Sequence, residues 1–184
     1  QRGGLSLEAV PGQGTETVVD NFSFSGATLA RAEWTHHRLL YLSPELAEPL
    51  HVSGTPTLEI RLASSAPAAN LSVWLVSLPW PERGSGEGGI ITRGWADPQN
   101  HQSIRESQPL DPGEFYHLSF ELQPDDQIIP AGQRLALMIF SSDREFTLWP
   151  SPGTELTVDL DSTALHLPVV GGEPAVRRAL RLQG

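Results

Sequence analysis

Strict alternation of apolar and polar side chains marks three segments as strands with one dry face. From Thr57 to Leu62, residues Leu58, Ile60 and Leu62 point one way and Thr57, Glu59 and Arg61 the other, the period of two that a pleated strand imposes. Tyr116 to Leu122 repeats it, with Tyr116, Leu118, Phe120 and Leu122 set against His117, Ser119 and Glu121, and Glu155 to Leu160 does so through Leu156, Val158 and Leu160. Two further runs, Leu71 to Leu78 and Leu135 to Phe140, are apolar on both faces, as strands at the centre of a packed sandwich must be. Turn formers separate these runs. Asp111-Pro112-Gly113, Pro124-Asp125-Asp126, Pro130-Ala131-Gly132 and Ser151-Pro152-Gly153 each supply a preset φ or a residue that tolerates positive φ. The block from Thr92 to Trp149 therefore reads as antiparallel strands broken by turns, without catalytic machinery.

Helix signals are few. They amount to a turn around Leu46 and the stretch Pro174 to Leu182, where Val176 and Leu180 stand four apart behind a proline. Many strands and little helix predict an all-β fold, a two-sheet jelly-roll β-sandwich ahead of an immunoglobulin-type one. A chain of 184 residues suits one such domain. Residues 1–19, which open on Gln1 and are rich in Gly, Thr and Glu, read as a linker from a missing upstream catalytic domain. Residues 20–172 then form the sandwich and 173–184 a C-terminal tail. The Gly-rich stretch Pro79 to Gly89 reads as a mobile loop.

Composition narrows the partners. The net charge is −10, from 22 acidic against 12 basic residues, which disfavours nucleic acid and anionic membrane surfaces. No apolar run approaches the ~20 residues of a spanning helix. Without cysteine there is neither a disulfide framework nor a thiolate metal site. All the basic residues are arginine, read first as a genomic bias and second as forked guanidinium groups suited to interfaces.

No catalytic constellation can be assembled. The nucleophile elbow Gly-x-Ser-x-Gly does not occur; Ser85 comes nearest, but Gly84 and Gly86 adjoin it and no helix follows. His36-His37, adjacent on an extended segment, point to opposite faces and are badly placed to chelate one ion. Asp125-Asp126 and the pair Asp159 and Asp161 have the oxygen chemistry of a calcium site, yet read first as turn-forming aspartates. No metal or cofactor is expected. The sequons at Asn21 and Asn70 carry no weight, being short patterns that recur by chance. Among the tryptophans, Trp74 belongs to a two-faced strand and reads as core, whereas Trp34, Trp80, Trp95 and Trp149 stand at strand ends, where an indole either marks contact with protein or sugar or caps the end of the sandwich core.

An ordered set of motifs resembles one family. Ser25-Gly26-Ala27, His37-Arg38-Leu39-Leu40-Tyr41, Leu50-His51-Val52-Ser53-Gly54-Thr55-Pro56, the run Arg93-Gly94-Trp95-Ala96-Asp97-Pro98-Gln99-Asn100-His101, Pro112-Gly113, Leu122-Gln123-Pro124-Asp125-Asp126, Pro130-Ala131-Gly132 and Met138-Ile139-Phe140-Ser141-Ser142-Asp143 follow in the order found in the C-terminal domain of Xaa-Pro dipeptidyl-peptidases, over roughly Asp20 to Gly172. The resemblance implies a galactose-binding-like jelly roll attached behind an α/β-hydrolase domain in a serine exopeptidase that releases Xaa-Pro dipeptides. Cocaine esterase and α-amino acid ester hydrolases are similar in architecture. It further implies that the catalytic serine, aspartate and histidine lie in the upstream domain, so that no catalytic residue is expected here, and that the peptide substrate is met only in the parent protein. Arg93, Trp95, Asp97 and His101 in one loop, and Asp143, Arg144 and Trp149 in another, are the candidates for the domain interface or the pocket wall. The rival reading pairs Arg93 or Arg105 with Asp97 or Asp143 inside the domain to order these loops. Two other functions stand beside this one: a carbohydrate-binding sandwich that uses its rim tryptophans, and an autonomous enzyme with an unrecognised site.

Overall fold

The alternating segments become strands of one sheet of a two-sheet sandwich in the computed structural model, which describes residues 3–80, 89–150 and 152–182. In chain order the elements are β1 (Gly3–Gly4), β2 (Thr15–Val19), α1 (Gly26–Arg31), β3 (Leu39–Leu42), β4 (Leu50–Gly54), β5 (Thr57–Ser64), β6 (Leu71–Leu78), β7 (Ile90–Ala96), a 3-10 turn at Pro98–Asn100, β8 (Phe115–Glu121), β9 (Asp125–Ile129), β10 (Arg134–Phe140), β11 (Glu155–His166) and α2 (Gly172–Ala179). One sheet runs β1-β3-β10-β6-β7 and the other β2-β11-β5-β8, while β4 and β9 form a separate ribbon. All pairings are antiparallel except that of β1 with β3.

The period of two decides where the core lies. Leu58, Ile60 and Leu62 of β5, Leu156 and Val158 of β11, Val18 of β2 and Leu118 of β8 meet Leu39, Tyr41, Leu71, Val73, Leu137 and Ile139 from the opposing sheet. Full burial of each large aliphatic chain contributes about 1.5–3 kcal/mol. The two-faced strands β6 and β10 also bury their other side, through Trp74, Val76, Ala136, Met138 and Phe140, and α1 packs there with Leu29 and Ala30. A third cluster joins Leu46, Leu50, Val52, Leu75, Ile91, Ile129 and Leu135 to Ala179 of α2. The turns expected at 111–113 and 130–132 close at Gly113 (φ +86°) and Gly132 (φ +85°), where a side chain would be strained.

α1 is not foreseen from the sequence, because six residues are too few to display a helical period. Three contacts hold it. The Ser25 hydroxyl accepts from the Thr28 N–H and caps its start. Gly26 lies so close to the Trp74 ring that a Cβ there would come within 2.3 Å of it. Arg38, 1% exposed, donates through Nε to Leu29 O at 2.8 Å and through Nη2 to Ala32 O at 2.5 Å, tying a cation to the carbonyl end of the helix.

Other expectations shift. Thr15–Val19, assigned to the linker, is an edge strand paired along β11, and Gly3–Gly4 pairs with β3. Its polar residues conceal the pattern: Val18 is buried in the core, while Glu16 faces Tyr41 and accepts its hydroxyl at 2.8 Å. In place of a turn at Leu46 the chain is irregular, with Leu46 bonded through its backbone to Gly132 and Gln133. The tail carries α2, which begins slightly earlier than the Pro174 signal places it. Ser85 with its flanking glycines, most of the loop expected between Pro79 and Gly89, and Ser151 of the fourth turn lie outside the described residues.

Candidate functional site

β10 ends at Phe140, and the buried polar run Ser141-Ser142-Asp143 fixes how the chain leaves the sheet. Asp20 accepts from the Ser142 N–H at 2.8 Å and from its hydroxyl at 3.0 Å. Ser72 donates to Ser141 O at 2.7 Å, and Ser141 donates in turn to Asn70 O at 3.0 Å. Hydrogen bonds between buried polar groups such as these favour one conformation. Asp143, 0% exposed, accepts both indole N–H groups, Trp74 at 2.9 Å and Trp95 at 3.0 Å, on the same oxygen, Oδ2. Its Oδ1 is enclosed without a donor among the described residues. The register explains the convergence, since Trp74 lies opposite Arg93 and Ser72 opposite Trp95, which makes the two indoles diagonal neighbours on the outer face of the sheet. The Arg93 guanidinium sits 4.7 Å from the Phe146 centroid and 5.5 and 5.8 Å from Trp74 and Trp95, so cation and carboxylate share one aromatic cluster.

From this node the segment 143–149 is held on several sides. Asp143 O accepts from the N–H groups of Phe146 and Thr147, both at 2.9 Å, and from the Thr147 hydroxyl at 3.1 Å. Asn70 Nδ2 donates to Leu148 O at 2.6 Å, Arg144 Nη1 to Ser23 O at 3.1 Å and Trp149 Nε1 to Arg144 O at 3.2 Å. Phe146 stacks on Trp95 at 4.8 Å and Trp149 on Phe22 at 5.2 Å. Held in this way, Leu148 is 87% exposed, Trp149 57% and Phe146 51%. Phe24, stacked on His37, and Trp34, edge-on to His36 and 65% exposed, extend the apolar surface toward the start of β3.

Of the residues singled out in the sequence, Arg93, Trp95, Asp143, Arg144 and Trp149 come together at this end of the sandwich. Asp97 and His101 do not join them. The Asp97 carboxylate accepts from the Gln99 N–H at 2.9 Å and caps the 3-10 turn, and the His101 ring lies against Tyr116 at 4.4 Å. Of the two acceptors that the rival reading gave to an arginine, Asp143 accepts from two indoles and Asp97 from the Gln99 N–H. Phe22, Phe24, Phe146, Leu148, Asp20 and Asn70 complete the site and were not foreseen. Asn70 has a legible signal in being a polar residue directly before a two-faced apolar strand. Trp74 is core, and Trp80 and Trp95 are half-buried, leaving Trp34 and Trp149 as the outward indoles.

The other chemically suggestive groups have local partners. His37 Nδ1 donates to Val19 O at 2.9 Å. Asp126 accepts from His51 at 2.5 Å, and its carboxyl is held below the usual range first by that bond and then by one from Ser53. Asp159 is lowered by the Arg61 guanidinium at 2.6 Å and also accepts from the Asp161 N–H. Burial, followed by the neighbouring Glu16 carboxylate, pushes the Tyr41 phenol far upward. Among the described residues no three His, Asp or Glu side chains gather around a common point.

The family described as "X-Pro dipeptidyl-peptidase C-terminal non-catalytic domain" matches residues 1–177. A Rhodopirellula baltica protein named as an Xaa-Pro dipeptidyl-peptidase is 61% identical over 174 residues, which cover 94% of this chain and 28% of the relative. A similarly named Bacillus cereus protein is 37% identical over 131 residues, covering 71% of this chain and 22% of the relative. The chain thus spans about a quarter of the length of these curated relatives. Among solved structures, an aminopeptidase from a marine sediment Thaumarchaeota archaeon superposes with a TM-score of 0.69 at 16% identity, over 91% of this chain and 35% of that one. An α-amino acid ester hydrolase gives 0.64 at 18%, over 87% and 33%. The likeness to these structures establishes a common sandwich fold, and the family match establishes kinship: the chain belongs to the C-terminal non-catalytic domains of the X-Pro dipeptidyl-peptidase family.

Proposed function

We propose that this chain is the accessory domain of a serine Xaa-Pro dipeptidyl-peptidase, packing on an α/β-hydrolase domain that precedes it in the same polypeptide and helping to shape substrate access. One observation carries the reading: 61% identity runs along 94% of this chain while touching only 28% of a relative that bears the peptidase name. The matched family is described as non-catalytic, so the chemistry of the longer protein is supplied from elsewhere in it, and the absence of a nucleophile elbow from the sequence agrees with this. Arg93, Trp95, Asp143, Arg144 and Trp149 are the proposed interface or pocket-wall residues. Asp97 and His101 hold the neighbouring 3-10 turn.

A sugar-stacking platform is the weaker reading. Phe22 occupies one face of Trp149 and Phe146 one face of Trp95, which reduces the open indole surface available to a pyranose.

The test compares the parent polypeptide, the parent truncated before Gln1, and this chain alone on a chromogenic Xaa-Pro substrate. The parent is expected to cleave, the truncated form to lose kcat/KM or melting temperature, and this chain alone to be inert. Turnover by this chain alone, or an inactive parent, would overturn the proposal.

A further inference from the structure

The direction of the first strand shows at which end of the sandwich the described chain starts. β1 runs parallel to β3, with Gly3 opposite Tyr41 and Gly4 opposite Leu42, so β1 starts on the side where β3 starts. That is the end occupied by Trp34, Phe24 and His37, and β10, antiparallel to β3, finishes there and leads into the 143–149 segment. The chain therefore enters the fold beside its most exposed aromatic surface.

Exposed apolar groups on a tethered backbone are the pattern of a docking face. Leu148, Trp149 and Phe146 are held by Asn70, Phe22 and Trp95, so little conformational entropy remains to be lost when they are covered.

We propose that the aromatic end is the seat of the domain that precedes β1 in the same polypeptide, with Leu148 and Trp149 as the anchors its surface encloses. The inference rests on the reading of the chain as the C-terminal domain of a longer peptidase, since a family of that description places the remaining length, more than two-thirds of the Rhodopirellula relative, ahead of this domain. A body joined at the foot of β1 meets this surface at high effective concentration, which keeps even a modest interface closed.

The experiment places a photo-crosslinker in the full-length parent by Leu148→p-benzoylphenylalanine. A control, Ile128→p-benzoylphenylalanine, sits on the exposed ribbon that leads to the far end of β10. After irradiation, adducts are mapped by mass spectrometry. Position 148 is expected to capture segments N-terminal to Gln1 at least several-fold more than position 128. No upstream adduct from 148, or an equal yield from 128, overturns the inference. As a second measurement, Leu148→Asp in the parent is expected to raise several-fold the rate of proteolysis between the two bodies, and an unchanged rate counts against the proposal. Xaa-Pro hydrolysis by the same samples separates the two claims. A parent that cleaves yet crosslinks only from 128 removes the docking surface alone, whereas upstream adducts from 148 in a parent that does not cleave support the surface and remove the peptidase reading.

Discussion

Trp74 and Trp95, on adjacent strands, donate their indole N–H groups to one and the same oxygen of Asp143. The carboxylate is fully buried, so the three side chains form a clamp between the sheet and the segment that carries Phe146, Leu148 and Trp149. Asp143→Ala strands both indole donors, and each buried unsatisfied donor costs about 1–3 kcal/mol. The expected loss is roughly 3 kcal/mol, read as a lower urea midpoint at unchanged slope. Asp143→Asn keeps an acceptor oxygen and should lose clearly less. Equal losses in the two variants would mean that the charge, and not the pair of hydrogen bonds, holds the clamp.

Arg38 has its guanidinium buried against the carbonyls of Leu29 and Ala32. Charge-assisted bonds of this kind contribute about 1.5–3 kcal/mol each. Arg38→Ala is expected to destabilise by roughly 3 kcal/mol, and Arg38→Lys to restore only part of it, because an ammonium cannot reproduce the planar fork. Denaturation midpoints of the two variants decide the matter. Full recovery with lysine would show that only the positive charge counts.

The pairs Asp126 with His51 and Asp159 with Arg61 predict the acid limb of stability. Both carboxyls are depressed in the folded state, by the bonds from His51 and Arg61 respectively. A depressed carboxyl stabilises the fold fully above the unfolded-state value, about 3.9 for aspartate, and that contribution disappears as pH falls through the folded-state value. Both pairs reach solvent, so the effect is modest and screened by salt. Midpoints measured from pH 5 to 2.5 should show wild type above Asp126→Asn at pH 5, with the gap closing below about pH 4. A gap that widens toward acid would contradict the sign.

What could be read in advance depended on how local the cause is. Leu58, Ile60 and Leu62 declare their strand because alternation is a property of neighbouring residues, and β6 coincides with the predicted run Leu71 to Leu78. β2 stayed hidden because its buried Val18 and its half-buried, Tyr41-bonded Glu16 are partnered by residues far along the chain. The site behaves in the same way. The sequence brought Arg93, Trp95, Asp143, Arg144 and Trp149 forward through their residue types and motifs, but the partners of Asp143 lie 69 and 48 positions away. Without the register that sets Trp74 diagonal to Trp95, an arginine is the natural partner to assume. Phe146 and Leu148 had no periodic signal at all, since their exposure follows from a loop tied down by Asn70 and Asp143.

The contact between Gly26 and Trp74 offers the sharpest test of why α1 exists. Judged by helix propensity alone, Gly26→Ala should stabilise, because alanine is favoured over glycine by about 1 kcal/mol within a helix. Packing opposes this. The added Cβ would lie 2.3 Å from the Trp74 ring, so the helix has to lift or the indole has to turn, and overpacking of that kind costs about 1–3 kcal/mol. Turning the indole would also weaken its bond to Asp143, adding to the cost. A net loss is therefore expected, of roughly 1–3 kcal/mol. Trp74→Phe, which removes the part of the ring nearest Gly26, destabilises by itself through the lost hydrogen bond and the vacated volume. It should nevertheless relieve the clash, so that Gly26→Ala costs little or nothing in its presence. A double-mutant cycle on denaturation midpoints measures this coupling, and strictly additive losses would show that α1 does not rest on Trp74.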